Sequence, residues 1–275
     1  MNTRRQSRIR VGIGGWNFAP WRKTFYPKNV AKNAELAYAS SRVTAIEINS
    51  TFYRLQKPSV FAKWRDSTPD GFMFSVKAPR FVTQRKVLGE AGPHLRRFIE
   101  SGITELDAKL GPLLWQLGPR HAFVPDDMQR FLDLLPGRAH GTRLRHAVEV
   151  RHESFATPHF LKIARERAIT VVFTDDEDYP GIADVTGRFI YARLRRSVSS
   201  KRTGYALAEI ARWADRARTW AFGAEPGDLP RVDKKKPKKA ATREVFIYFI
   251  NGAKERAPAG GMSLIGGLRK GPVNA

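Results

Sequence analysis

The chain contains no cysteine. That excludes disulfides, thiolate nucleophiles and cysteine metal sites. It also lacks any run of about 18 apolar residues, the length a membrane-spanning helix requires. Acidic residues are scarce: 26 Asp and Glu stand against 49 Lys and Arg, a formal net charge of +23. No serine sits in a G-x-S-x-G elbow, so a nucleophilic-serine system is not indicated. No G-x-G-x-x-G fingerprint opens a helix either, because Gly12, Gly14 and Gly15 run straight into Trp16.

What is present fits an ordinary globule. At 42% hydrophobic and 27% charged, 275 residues suffice for one large core or two average ones. The opening MNTRRQSRIR is basic with a twin arginine, but the apolar stretch after it is too short for a secretory signal. It reads as a leader before a first core strand, and a cytoplasmic location is the expectation. Arg4, Arg5, Arg8 and Arg10 carry four positive charges and Arg231 to Lys239 a net five, so +14 remains on the folded body. Such a field attracts polyanions, from phosphorylated metabolites to nucleic acid. General basicity without a specific partner is the plain alternative.

Apolar, β-favouring runs recur at Ile9–Gly14, Thr44–Ile48, Phe72–Lys77, Pro112–Leu117, Ala147–Val150, Thr170–Thr174, Phe189–Leu194 and Val245–Ile250. Near-continuous apolarity suits parallel strands buried on both faces. Helix-like segments alternate with them at Asn33–Ala39, Ser59–Asp66, His94–Leu110, Asp126–Leu135, Pro158–Arg167 and Leu207–Phe222. Eight such units imply the α/β class and a (β/α)8 TIM-type barrel with irregular or missing outer helices. The gap is expected after strand six, where only Asp184 to Gly187 separates the loop from strand seven. An open doubly wound sheet is the structural alternative. Residues 1–8 read as a basic flexible leader and 9–270 as a single barrel domain. Residues 223–243 read as a solvated basic loop insertion, or an accessory polyanion-binding arm, at the bottom face. Residues 271–275 read as a tail.

In a barrel, polar residues at strand C-termini converge on one mouth. Strand two supplies Glu47, Asn49 and Tyr53, and strand three Lys77 and Arg80. Strand four gives Gln116, and strand five Glu149, Arg151 and His152. Strand seven gives Arg193, Arg195 and Arg196, and strand eight Asn251. Gly15 and Trp16 close the first strand. Glu47, Lys77, Glu149 and His152 form the candidate catalytic set. Paired carboxylates beside cations suit acid–base work. A structural ion-pair plug is the alternative for Glu47 and Lys77, and a satisfied structural histidine for His152. Trp16, Phe52 and Tyr53 read as a stacking wall or, for Phe52, as core packing. Arginines 193, 195 and 196 suit phosphate oxygens. No cofactor is expected. Asp175, heading an acidic run, is a marginal candidate for a divalent cation.

Six stretches carry a resemblance: GIGGWNFAPWRKTFYP (12–27), EINSTFYRL (47–55), FSVKAPR (74–80), KLGPLLWQLGP (109–119), VEVRHESF (148–155) and FIYFIN (246–251). The chain resembles the YecE-like domain-of-unknown-function family, DUF 72, over nearly its whole length. The resemblance implies a TIM-like barrel with irregular outer helices and leaves the reaction unnamed. It marks Gly15, Trp16, Glu47, Asn49, Phe52, Tyr53, Lys77, Gln116, Glu149, Arg151, His152 and Asn251. The family's histidine after strand seven is Arg195 here, its Asn-Asn pair is Ile250-Asn251, its serine before Gly15 is Gly14, and a proline is Gly118. This corner is thus more basic, implying a more anionic ligand or lost catalysis.

Three functions remain open from the sequence. One is a hydrolase or lyase acting on a phosphorylated or polyanionic substrate at the mouth. There Glu149 and Glu47 would be the acid–base pair, with Lys77, Arg151 and Arg195 stabilising negative charge. The others are a noncatalytic nucleic-acid-binding barrel and a sugar-phosphate isomerase. The expected partner is an anionic small molecule or nucleic acid rather than a membrane, and the oligomeric state is open.

Overall fold

Eleven strands and nine α-helices organise the chain in a computed structural model that describes residues 8–234 and 242–270. The strands are β1 (Ile9–Gly14), β2 (Ala45–Ile48), β3 (Met73–Lys77), β4 (Leu110–Gln116), β5 (Arg138–Ala139), β6 (Thr142–Arg143), β7 (His146–Glu149), β8 (Thr170–Val171), β9 (Phe173–Thr174), β10 (Phe189–Leu194) and β11 (Glu244–Phe249). The helices are α1 (Glu35–Arg42), α2 (Ser50–Tyr53), α3 (Pro58–Asp66), α4 (Arg80–Thr83), α5 (Gly92–Ile99), α6 (Pro125–Asp133), α7 (Pro158–Glu166), α8 (Leu207–Ala221) and α9 (Ala257–Arg269).

Nine strands form one sheet in the order β8-β7-β4-β3-β2-β1-β11-β10-β9, every neighbour parallel. Its two edge strands are halves of one segment. Only Val172 separates β8 from β9, and its amide donates to the Val148 carbonyl at 2.9 Å. The sheet therefore closes on itself as an eight-stranded barrel without a free edge. The short pair β5–β6 is an antiparallel hairpin outside the barrel.

Strand alternation explains what fills the barrel. Ala45, Met73, Leu114, Ala147, Val172, Phe189, Tyr191, Phe246, Tyr248 and Ile250 form an interior cluster separate from the sheet–helix core. Gly12 keeps the first strand open to it: a Cβ there would lie 2.5 Å from the Tyr248 ring. Two residues beyond these positions, or four on β3, the same inner face reaches the rim. There it carries Glu47, Lys77, Gln116, Glu149 and Arg193.

The outer layer departs from eight regular helices. The segment expected as one helix over His94–Leu110 ends at Ile99. Gly102 (φ 101°) then turns the chain, and Ile103–Lys109 continues as 3-10 structure. The glycine is needed in that left-handed conformation. Between β9 and β10 there is no helix. Residues 224–234 dock against the vacant flank instead. The Pro230 carbonyl accepts from Ala183 N at 3.0 Å, and the Asp184 carboxylate accepts from Val232 N (2.7 Å) and Asp233 N (3.0 Å). The first half of the basic insertion is thus held by specific bonds rather than solvated. Residues 235–241, with most of its lysines, lie outside the described residues, as do leader residues 1–7 and the tail 271–275. Helix α9 was masked in the sequence by four glycines, each costing about 1 kcal/mol in a helix relative to alanine. Gly260 answers a packing need: a Cβ there would sit 2.8 Å from the Phe249 ring.

Candidate functional site

Arg193 sits at the centre of the barrel mouth, 1% exposed. Its Nε donates to Glu47 Oε2 and its Nη2 to Glu47 Oε1, each at 3.0 Å, while Nη1 bonds Glu149 Oε2. Tyr191 OH adds a 2.7 Å bond to Glu47 Oε2. Glu149 Oε1 accepts from Gln116 Nε2 at 2.9 Å and Arg151 Nε at 2.8 Å. Four strands, β2, β4, β7 and β10, thus meet in one buried network. Burial alone pushes the Glu149 carboxyl up. Arg193 and Arg151, with the Gln116 bond, overcome that and hold it at about 2. Burial opposes the charge on Arg193 too, and Glu149 and Glu47 outweigh it, keeping the guanidinium protonated.

This geometry ties three of the expected site residues to one another. Arg193, expected to grip substrate, spends its guanidinium on two internal carboxylates. Glu47 and Glu149, both fully buried, were expected as the acid–base pair. Their oxygens accept from arginine, tyrosine and glutamine, and Glu149 stays ionised far below neutral pH. In this arrangement both are paired with Arg193.

Lys77 is the titratable group the network leaves available. It ends β3 with its Nζ 4.0 Å from the centroid of the Phe52 ring. Among the described residues it has no ion-pair partner. Burial, then the Arg193 guanidinium, lower the ammonium to about 8, against the pull of Glu47 and Glu149. At pH 7 about one tenth of such an amine is unprotonated, against roughly one in three thousand at the ordinary lysine value. Phe52, read mainly as core packing, is instead a half-buried cation–π surface for this amine.

The loops at the mouth carry further cations and aromatics. The guanidiniums of Arg151 and Arg195 lie 4.6 and 5.3 Å from the Tyr179 ring centroid. Lys254 places its Nζ 4.7 Å from the Phe18 ring, and burial lowers its pKa. Tyr53 is 69% exposed and meets Phe52 edge-on at 5.2 Å, open for stacking. Trp16, the other expected wall, packs edge-on against Trp64 at 5.1 Å, and Gly15 beside it adopts φ 76°. Asn49 Nδ2 donates to the Glu47 carbonyl at 3.2 Å. Asn251 turns its side-chain carbonyl to Arg195 Nη2 at 3.0 Å. Arg80 is exposed at the start of α4.

His152 is drawn away from the carboxylates. Its Nδ1 accepts from Ser154 N at 3.2 Å and faces Ser154 Oγ at 2.8 Å, capping the short 3-10 turn Glu153–Phe155. The acidic run after β9 is equally committed. Asp175 accepts from Arg195 N (2.6 Å) and Tyr205 OH (2.7 Å), Asp176 pairs with Arg195, and Glu177 pairs with Arg196 at 2.6 Å. These bonds hold the loop, where a cation site had been a marginal expectation. Among the described residues no group of three or more His, Asp or Glu is arranged to hold a metal ion. A cavity of about 910 Å³ opens beside the mouth, between this loop and Arg195, Arg196, Lys201 and Arg212. Tyr179, Lys254, Phe18 and Tyr191 were missed in the sequence. Inner-face alternation along β10 could have found Tyr191, but the loop residues had no local signal.

A closed (β/α) barrel with a cationic mouth and a central Glu–Arg–Glu bridge defines the class. The family model "Protein of unknown function DUF72" matches residues 10–274, and the chain belongs to that family. It is 29% identical to UPF0759 protein YecE of Escherichia coli K12 over 151 residues, 54% of this chain and 50% of that protein. UPF0759 protein YunF of Bacillus subtilis is 32% identical over 75 residues, 27% of this chain and 26% of YunF. The match therefore spans half the length of YecE and less of YunF. Crystal structures of DUF72 proteins superpose over 95% of this chain. The Enterococcus faecalis protein has a TM-score of 0.69 at 15% identity, covering 95% of that chain. The Thermotoga maritima protein has 0.68 at 19% identity, covering 99%. At such identities the likeness shows the fold alone. Among the described residues no helix is long and apolar enough to cross a membrane.

Proposed function

We propose that the mouth is an active site of hydrolase or lyase type that takes a phosphorylated or polyanionic substrate, with Lys77 as its reacting group. The observation that carries this is the Lys77 amine itself. It is buried at a strand end, lowered to about 8, and near Arg193 and Arg151, whose counter-ions are the internal Glu47 and Glu149. Arg151, Arg195 and Lys254 supply positive charge for the anionic portion of the substrate, and Tyr53 supplies an open ring face.

Turnover of a panel of phosphate esters, sugar phosphates and nucleic acids by wild type and Lys77→Met tests the reading. Loss of general-base or nucleophilic help is expected to cost about 10²–10⁴-fold in rate. The wild-type profile of kcat/KM should rise with pH through about 8. Equal turnover by both proteins would remove Lys77 from the chemistry. The net charge of +23 favours a second reading, noncatalytic binding of nucleic acid. That reading predicts salt-sensitive affinity without turnover, undiminished in Lys77→Met.

A further inference from the structure

We infer that Lys77 acts covalently, as the amine that forms an imine with the carbonyl group of a phosphorylated aldehyde or ketone bound at the mouth. The inference rests on the active-site reading above and names its substrate class.

The geometry separates a nucleophile from a proton shuttle. A lysine acting only as base must hand its proton on, and neighbouring carboxylates are the usual receivers. Here each already accepts three hydrogen bonds from other side chains. Glu47 accepts from Arg193 and Tyr191. Glu149 accepts from Arg193, Gln116 and Arg151. Neither offers Lys77 a direct partner. An amine that bonds to substrate passes its two protons to the departing oxygen, through water or the substrate's own phosphate, so neither carboxylate has to receive them.

The surroundings of the amine fit the same role. The Phe52 face beneath Nζ shields one side of the amine from water. Arg151 lies near enough to act on the amine, and it shares the Tyr179 ring with Arg195, charge suited to a phosphate attached to the reacting carbon chain. In the step itself, the Nζ lone pair attacks the carbonyl carbon and the C=O π pair moves onto oxygen, giving a carbinolamine. The C–O bond then breaks, a C=N bond forms, and the two amine hydrogens leave with the oxygen as water. No oxidant, reductant or further reactant is required, and hydrolysis returns the lysine.

The test uses the wild-type chain with glycolaldehyde phosphate and cyanoborohydride, which reduces the imine to a stable secondary amine, followed by peptide mass mapping. Unphosphorylated glycolaldehyde and an excess of inorganic phosphate are the comparison arms. Lys77 is expected to be labelled at least about tenfold faster than exposed Lys63 at neutral pH, because its amine is seated at the mouth and lowered to about 8. Phosphorylation of the probe should strengthen that preference and inorganic phosphate should suppress it. Labelling of Lys77 no faster than Lys63 would overturn the inference. If Lys77→Met nevertheless loses turnover on the substrate panel, the lysine is a base and the active-site reading survives. If Lys77→Met also turns over like wild type, both fail.

Discussion

Two buried cations in this mouth, Lys77 and Arg193, have opposite relations to stability. Arg193 compensates two carboxylates that have no access to water. Removing one partner from such a buried set typically costs about 3–5 kcal/mol. Arg193→Met should therefore lose stability on that order in urea denaturation, and a loss below about 1 kcal/mol would show the bridge to be dispensable. Lys77 is burdened by its own burial, so Lys77→Met should leave stability unchanged or raise it. The pH dependence carries the same sign. The folded-state pKa of Lys77, about 8, lies below its ordinary 10.5. Between those values the unfolded chain holds the extra proton, so this residue's contribution to stability rises with pH. Glu149 has the same sign in the acid range. It is held at about 2 against an ordinary 4.5, so the stability it contributes above 4.5 is lost as pH falls toward 2. The sequence placed every one of these residues at the mouth because strand alternation is legible from one residue type to the next. It did not reveal which acid bonds which base. That depends on side chains from β2, β7 and β10, far apart in the chain, competing for a single guanidinium.

At the scale of elements, the loop between β9 and β10 is a tethered acidic strap across the arginines. Asp176 occupies Arg195 and Glu177 occupies Arg196, while Tyr179 lies against Arg151 and Arg195. An incoming phosphate competes with Asp176 for the same fork. Asp176→Asn should therefore tighten phosphate binding several-fold by calorimetric titration. Weaker binding would show that the acid positions the arginine for its ligand. A second element is sensitive to acid. His146, on the outward face of β7, accepts from Trp115 Nε1 at Nδ1 (3.0 Å) and bonds the Pro136 carbonyl through Nε2 (2.8 Å). Burial lowers its pKa to about 4. Below its ordinary 6.5 the unfolded chain takes up a proton that the fold refuses, so stability should decline from pH 6.5 toward 4. His146→Gln should flatten that decline in pH-dependent denaturation curves. Strands and the missing sixth helix were readable because apolar runs and a four-residue gap are local signals. Helix α9 and the break at Gly102 were not, since their glycines answer contacts with Phe249 and Pro58 that no local window contains.

Over the whole molecule, the charge is more structured than its total suggests. Many arginines are committed internally, as with Arg167 on Asp133 and Arg216 on Asp228. The net +23 therefore gives general attraction for anions, while specificity falls to the few cations at the mouth. If the ligand is a nucleic acid, log affinity should fall with log salt by roughly 0.7–0.9 per phosphate contacted. A salt-insensitive affinity would point to a small ligand held by the mouth alone. The account depends above all on one amine being unusually acidic. Trace acetylation of every lysine across pH, quantified by isotope ratio, reads that property directly in the intact wild-type chain. Lys77 should titrate with a midpoint near 8. A Lys77 midpoint near the ordinary 10.5 would contradict the account.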